Sequence, residues 1–195
     1  TPDQKLIRSL GITAESLEGY LFPETYHFSK FTPEKKIVET MVATYKSHVL
    51  TPELLKQAKE SSLSWHKIIT LASLIEKETG LETERKIISS VFHNRLRKNM
   101  RLQTDPTVIY AIEKFDGNIR KRDLKIDSPY NTYRYKGLPP GPIASPGLKS
   151  IVAAISPVES RHLYFVSRQN GSHYFSSTLK EHNRAVRKYQ LNKTR

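Results

Sequence analysis

The chain has 195 residues, with 32 lysines and arginines against 19 acids, a formal net charge of +13, and no cysteine. That length fits one domain, with room for a small lobe, and buries enough surface to fold unaided by disulfide or metal. The missing cysteine excludes a disulfide framework, a thiolate nucleophile and a Cys-type zinc site. The basic surface suits a polyanion such as nucleic acid, anionic lipid or an acidic wall polymer; a merely solvated basic face is the equal alternative. No apolar run approaches the roughly 18 residues that span a bilayer. The polar start, Thr1 to Leu10, is no signal peptide. The chain opens without methionine, so it reads as an excised piece of a longer protein, its anchor or export signal lying outside.

In chain order, LEGYLFPETYHF (17–28) is aromatic, with Pro23 in the middle, and reads as extended chain. Thr32-Pro33-Glu34 gives a cap followed by proline, the start of a helix running to about Val49. Thr51-Pro52-Glu53 repeats the signal for a short helix. Ser64 is the expected cap of SWHKIITLASLIEKET, where Trp65, Ile68, Leu71, Ala72 and Ile75 recur at helical spacing. A helix over Glu82 to Lys98 buries Ile87, Ile88, Val91, Phe92 and Leu96. Asp105-Pro106 caps another, Thr107 to Glu113. Residues 116–145, rich in proline and glycine, form a long irregular loop of the kind that often carries function. Ser145-Pro146 starts a helix ending near Ser156. HLYFVSR and SHYFSS form a β-hairpin about Asn170-Gly171, and Thr178 caps a last helix to about Leu191. The sum is α+β: a helical body, a small antiparallel β-sheet and one long loop.

Two acids could carry chemistry. With Ile68 set at zero, Glu76 falls at about 80° around its helix and Glu78 at about 280°, while Lys77 points outward at about 180°. The two acids sit on opposite shoulders of the apolar face and cannot pair closely. Glu76 shares its shoulder with Trp65, Ile69 and Ala72; apolar neighbours hold an acid partly neutral, as a general acid near pH 7 requires. Spacing alone favours a plainer reading, an ion pair with Arg85 or Arg95, and Glu78 near the helix end looks like a structural partner of that kind. Gln103, Thr104 and Asp105 are hydrogen-bonding residues ahead of a helix, where Asp105 also explains itself as a cap. In YNTYRYKGLPPGPIASP (130–146) aromatics alternate with amides and hydroxyls before rigid prolines, a pattern that suits sugar rings or a well-packed loop equally. His173 and His182 could meet in space, but no pair of the seven histidines has the spacing of a helical zinc motif, so no metal or cofactor is expected.

Taken in order, LEGYLFPETY (17–26), ASLIEKETG (72–80), VFHNRLR (91–97), MRLQTDPTVIYAI (100–112), SPYNTYRYKGLPPGPIASPG (128–147) and LYFVSRQNGSHYFSSTLKEHN (163–183) resemble the YceG-like family of endolytic murein transglycosylases over nearly the whole chain. The resemblance implies that residues 1–195 are a catalytic domain of this family, lacking the N-terminal membrane anchor and most of a LysM-like lobe. It implies cleavage of the β-1,4 bond between N-acetylmuramic acid and N-acetylglucosamine within glycan strands, leaving 1,6-anhydromuramic ends, with the catalytic glutamate placed on Glu76. Gln103, Thr104, Asp105, Tyr130, Asn131, Tyr133, Pro142, Ile143 and Ser145 are the expected substrate contacts. The implied setting is the outer face of the cytoplasmic membrane, beside the cell-wall synthesis machinery and held by the missing anchor.

Hydrolytic glycosidases place two carboxylates across the bond, about 5 to 9.5 Å apart. A lytic transglycosylase uses one, first as acid and then as base. The competing readings are a lysozyme-like hydrolase with Asp105 as second carboxylate and a non-catalytic peptidoglycan-binding module. A nucleic-acid partner is not expected, because the basic residues are spread over most elements without a recognisable binding motif.

Overall fold

Proline and small polar residues set most of the helix starts. In the computed structural model, which describes residues 4–9 and 11–191, α1 spans Gln4–Ser9, α2 Glu34–Val49, α3 Pro52–Glu60, α4 Trp65–Glu78, α5 Glu82–Arg97, α6 Asp105–Ala111 and α7 Leu148–Ile155. Strands β1 (Tyr164–Ser167) and β2 (His173–Ser176) pair antiparallel, with Phe165 opposite Phe175. α8 (Leu179–Val186) continues into one π-helical turn, Arg187–Leu191. The architecture is α+β, a helical body with a two-stranded sheet, as the patterning predicts. No described helix is long and apolar enough to cross a membrane.

Local chemistry explains most boundaries. Thr51 Oγ1 accepts the N–H of Leu54 at 3.3 Å, with Pro52 in the first turn. Thr178 and Glu181 form a reciprocal capping box at α8. Four expected caps are corrected. Pro33 rather than Thr32 precedes α2, Ser64 occupies the cap position of α4 without a side-chain bond, Gly147 rather than Ser145 precedes α7, and Thr104 rather than Asp105 precedes α6. The last shift matters chemically, because it releases the Asp105 carboxylate from capping. Residues 12–33 form turns and extended chain without a strand partner. The hairpin is wider than a two-residue Asn-Gly turn: residues 168–172 link the strands, with Gln169 and Gly171 both at positive φ.

α4 is the centre of the core. Every residue from Ile68 to Ile75 is buried, so this helix is enclosed all round rather than along one stripe. Each large apolar side chain there contributes about 1.5–3 kcal/mol. The buried hydroxyls stay satisfied: Thr70 donates to His66 O (2.8 Å) and Ser73 to Thr70 O (2.7 Å). α7 packs most closely on α4 and also against α5, its small Ala153 and Ala154 facing inward.

α5 seats the hairpin. Asn94 Nδ2 donates to Ser160 O (3.0 Å) and His162 O (2.8 Å), and Arg95 Nε to Leu163 O (2.6 Å). Glu84 receives the His173 backbone N–H (2.8 Å) on one oxygen and faces the ring Nδ1 (2.6 Å) with the other. The hairpin is thereby fixed to α5, and α8 packs against both strands.

Candidate active site

Between the end of α4, the 102–105 segment and the wall made by the hairpin and α8 lies an open groove of about 510 Å³. Glu78, Arg95, Gln103, Asp105 and Tyr133 line one side; Tyr164, His173 and His182 line the other. Glu78 contributes a carboxyl to the groove lining. Thr104, only 2% exposed, donates its hydroxyl to Glu78 Oε1. Burial pushes the Glu78 carboxyl up to about 7; nearby Asp105 adds to the rise, while the Thr104 hydroxyl and the Arg95 charge oppose it. A carboxyl with that value is about half protonated at neutral pH, the condition a general acid needs.

The surroundings hold this acid in place. Arg95 is 7% exposed, and its Nη1 donates to Leu102 O (2.7 Å), Arg101 O (3.2 Å) and Gln103 Oε1 (3.4 Å). Its guanidinium also stacks over the Tyr164 ring, 5.2 Å from the centroid. Gln103 adopts φ +50°, a left-handed conformation unusual for a side-chain-bearing residue, and its N–H donates to Thr132 O at 3.1 Å. Strain of this kind collects where a backbone is held for function. Asp105 accepts the Tyr133 hydroxyl at 2.5 Å. Burial and that bond to Asp105 push the Tyr133 hydroxyl upward, so it stays a donor.

Glu76, on which the resemblance places the catalytic role, does not line the groove. Its carboxylate accepts the Gly147 N–H (3.1 Å), ahead of α7, and meets Arg85 Nη2 at 3.5 Å; Arg85 also donates to Ser150 (3.0 Å). The long loop causes this. Pro142 lies over Gly19, where a β-carbon would come within 2.5 Å of its ring, and the Ile143 N–H donates to Ser73 at 3.0 Å. Pro142, Ile143 and Gly147 cover the shoulder of α4 that bears Ile69, Ser73 and Glu76, leaving the Glu78 shoulder open.

Of the expected contacts, Gln103, Asp105 and Tyr133 line the groove and Thr104 reaches it through Glu78. Pro142, Ile143 and Ser145 do not line it, for the reason just given. Tyr130 packs instead on Tyr110, with ring centroids 4.8 Å apart. Asn131 is a brace: fully buried, it donates to Leu124 O (3.0 Å) and Ile126 O (2.8 Å) and accepts the Tyr133 N–H (3.0 Å). Asn131→Ala therefore costs about 2–3 kcal/mol of stability through stranded carbonyls, read as a lower denaturant midpoint.

Sequence reasoning undervalued Glu78 and Arg95 and missed Tyr164 and His182 as parts of this groove. One signal was available for Glu78. Its helical neighbours at three, four and seven residues back are Ile75, Leu74 and Leu71, whereas those of Glu76 are Ser73, Ala72 and Ile69. Among the described residues no cluster of three metal-binding side chains occurs.

A family model described as the YceG-like family matches residues 2–188. An endolytic murein transglycosylase of Bacillus subtilis (strain 168) is 48% identical over 174 residues, covering 89% of this chain and 48% of the relative. One from Streptococcus pneumoniae serotype 2 is 38% identical over 176 residues, covering 87% of this chain and 32% of the relative. This chain thus spans about half of the first and about a third of the second. The crystal structure of a yceG-like protein from Listeria monocytogenes superposes with a TM-score of 0.81 at 41% identity, covering 92% of this chain and 61% of that one. With the model matched along almost its whole length, the chain belongs to the YceG-like family.

Proposed function

We propose that this chain is the catalytic domain of an endolytic lytic transglycosylase acting on peptidoglycan, with Glu78 as its single general acid/base. The observation that carries the reading is a carboxyl raised to about 7 in the lining of an open groove, held by Thr104. The names of the Bacillus and Streptococcus relatives support the substrate. In this reading the bond cut is the β-1,4 link from N-acetylmuramic acid to N-acetylglucosamine. Glu78 gives its proton to the departing O4 of N-acetylglucosamine as the C1–O4 bond breaks. The resulting carboxylate takes the proton of the muramic C6 hydroxyl, whose oxygen closes on C1. Atoms balance without water, and a 1,6-anhydromuramic end results. The internal hydroxyl is tethered to the reacting ring, so its effective concentration far exceeds that of a bimolecular competitor. Glycan strands outside the cytoplasmic membrane are the partner. The whole protein would stand there on an anchor, beside the wall-synthesis machinery.

One observation favours a second reading, hydrolysis: Asp105 lines the same groove as Glu78. As a second carboxylate it could activate water or attack C1. Digestion of purified peptidoglycan in oxygen-18 water separates the two. The transglycosylase gives anhydro ends, one water lighter than hydrolysed ends and free of label. Label at the muramic end would mean hydrolysis, with Asp105 the candidate second carboxylate, and overturn the proposal.

A further inference from the structure

The wall facing Glu78 contains a polar group that the acid/base scheme leaves unused. His182, on α8, lines the groove with its ring stacked on Tyr164, centroids 5.2 Å apart at 24°. Tyr164 in turn packs against the Arg95 guanidinium, which ties this wall to the 102–105 segment on the Glu78 side. The His182 Nδ1 is buried without a hydrogen-bond partner. The Nε2 also bonds to none of the described residues, yet it is absent from the buried unpartnered atoms, so it is solvent-accessible on a residue that lines the groove.

These facts fix the tautomer. Burial, with the Arg95 charge nearby, lowers the proton affinity of the ring and keeps it neutral. A neutral imidazole has one N–H donor and one acceptor nitrogen. A buried unpaired N–H is rarer and costlier than an unused lone pair, so Nδ1 is the bare nitrogen and Nε2 carries the hydrogen. That donor is preorganised: the Tyr164 stack sets the ring plane, and the capping box of Thr178 and Glu181 sets the helix that bears it.

Resting on the glycan reading above, we propose that His182 donates its Nε2–H to an oxygen acceptor on a sugar substituent, an acetamido carbonyl or a lactyl carboxylate. This makes the hairpin–α8 wall a substrate-binding wall, with His182 a specificity residue and Tyr164 its backing.

The test uses the full chain carrying Glu78→Gln, to hold glycan uncleaved, alone and with His182→Ala or His182→Gln. Calorimetry measures binding of peptide-free glycan strands, which carry both substituents, and of N-acetylglucosamine hexamer, which carries only acetamido groups. His182→Ala should weaken binding about tenfold with an unchanged melting temperature, and His182→Gln, which keeps an N–H donor, should recover most of it. An equal loss on both ligands assigns the acetamido carbonyl; a loss confined to muramic strands assigns the lactyl carboxylate. Long-range nitrogen-15 spectra should show the Nε2–H form of His182, shifting when glycan is added. Binding by the Glu78→Gln chain that His182→Ala leaves intact, or an Nδ1–H ring, overturns this inference alone. No glycan binding by the Glu78→Gln chain overturns the functional reading and this inference together.

Discussion

Glu78→Gln should abolish glycan cleavage, by at least about a thousandfold, while leaving a folded and more stable protein. The amide keeps the size of the carboxyl and can still accept from Thr104, but it has no proton to give and no charge with which to take one. The stability gain follows from the raised carboxyl. Between the ordinary value near 4.5 and about 7, the unfolded chain has lost this proton and the folded chain still holds it. Folded protein binds more protons there, so stability falls as pH rises through that window and stays reduced above it. The full shift corresponds to about 3 kcal/mol. Glu78→Gln should therefore gain about 1–3 kcal/mol at pH 8 and little at pH 4, seen as a melting point several degrees higher at the upper pH only. Wild-type activity should decline above about pH 7 as the acid ionises. Glu76→Gln serves as the contrast. It loses the Arg85 pairing and weakens the acceptor of the Gly147 N–H, costing about 1 kcal/mol, and keeps most cleavage activity. Cleavage lost in a folded Glu76→Gln and kept in Glu78→Gln would reverse the assignment of the acid.

Arg95→Met should be the most destabilising of the variants considered, by about 3–5 kcal/mol, a large part of the stability of an ordinary domain. Methionine fills much of the volume but leaves the carbonyls of Leu102 and Leu163 without their donor. Each stranded buried carbonyl costs about 1–3 kcal/mol. The guanidinium also joins the strained Gln103 segment to the segment leading into β1, so both sides of the groove loosen together. Arg95→Lys should recover only part of the loss, since an ammonium cannot reproduce the planar fork that reaches these acceptors. Urea denaturation reads the effect. A midpoint shift under about 1 kcal/mol for Arg95→Met would mean that water replaces those bonds and that the groove does not depend on Arg95.

Local signals settled a good deal of this chain. Thr51-Pro52 and Thr178 with Glu181 start helices because the orphan N–H groups of a first turn take the nearest side-chain oxygen, a matter of three residues. The hairpin, the apolar identity of α4 and the irregular 116–145 stretch were legible for the same reason. Helical rotation also showed, before any fold was known, that Glu76 and Glu78 point to different places. Which of them lines the groove was not a local matter. Both shoulders of α4 look alike until residues about seventy positions later arrive: Ile143 bonds Ser73 and Gly147 bonds Glu76, closing one side. Thr104, from another direction, meets Glu78 on the side left open. Arg95 likewise reads as a candidate ion-pair partner in sequence and becomes, once α5 seats the hairpin, a guanidinium spent on carbonyls. His182 joins the groove only because the hairpin turns the chain back, so that α8 lays its ring on Tyr164. Periodicity assigns a side chain to a face of its own helix; what covers that face is set by distant segments competing to bury their apolar surface, and only the tertiary structure decides it.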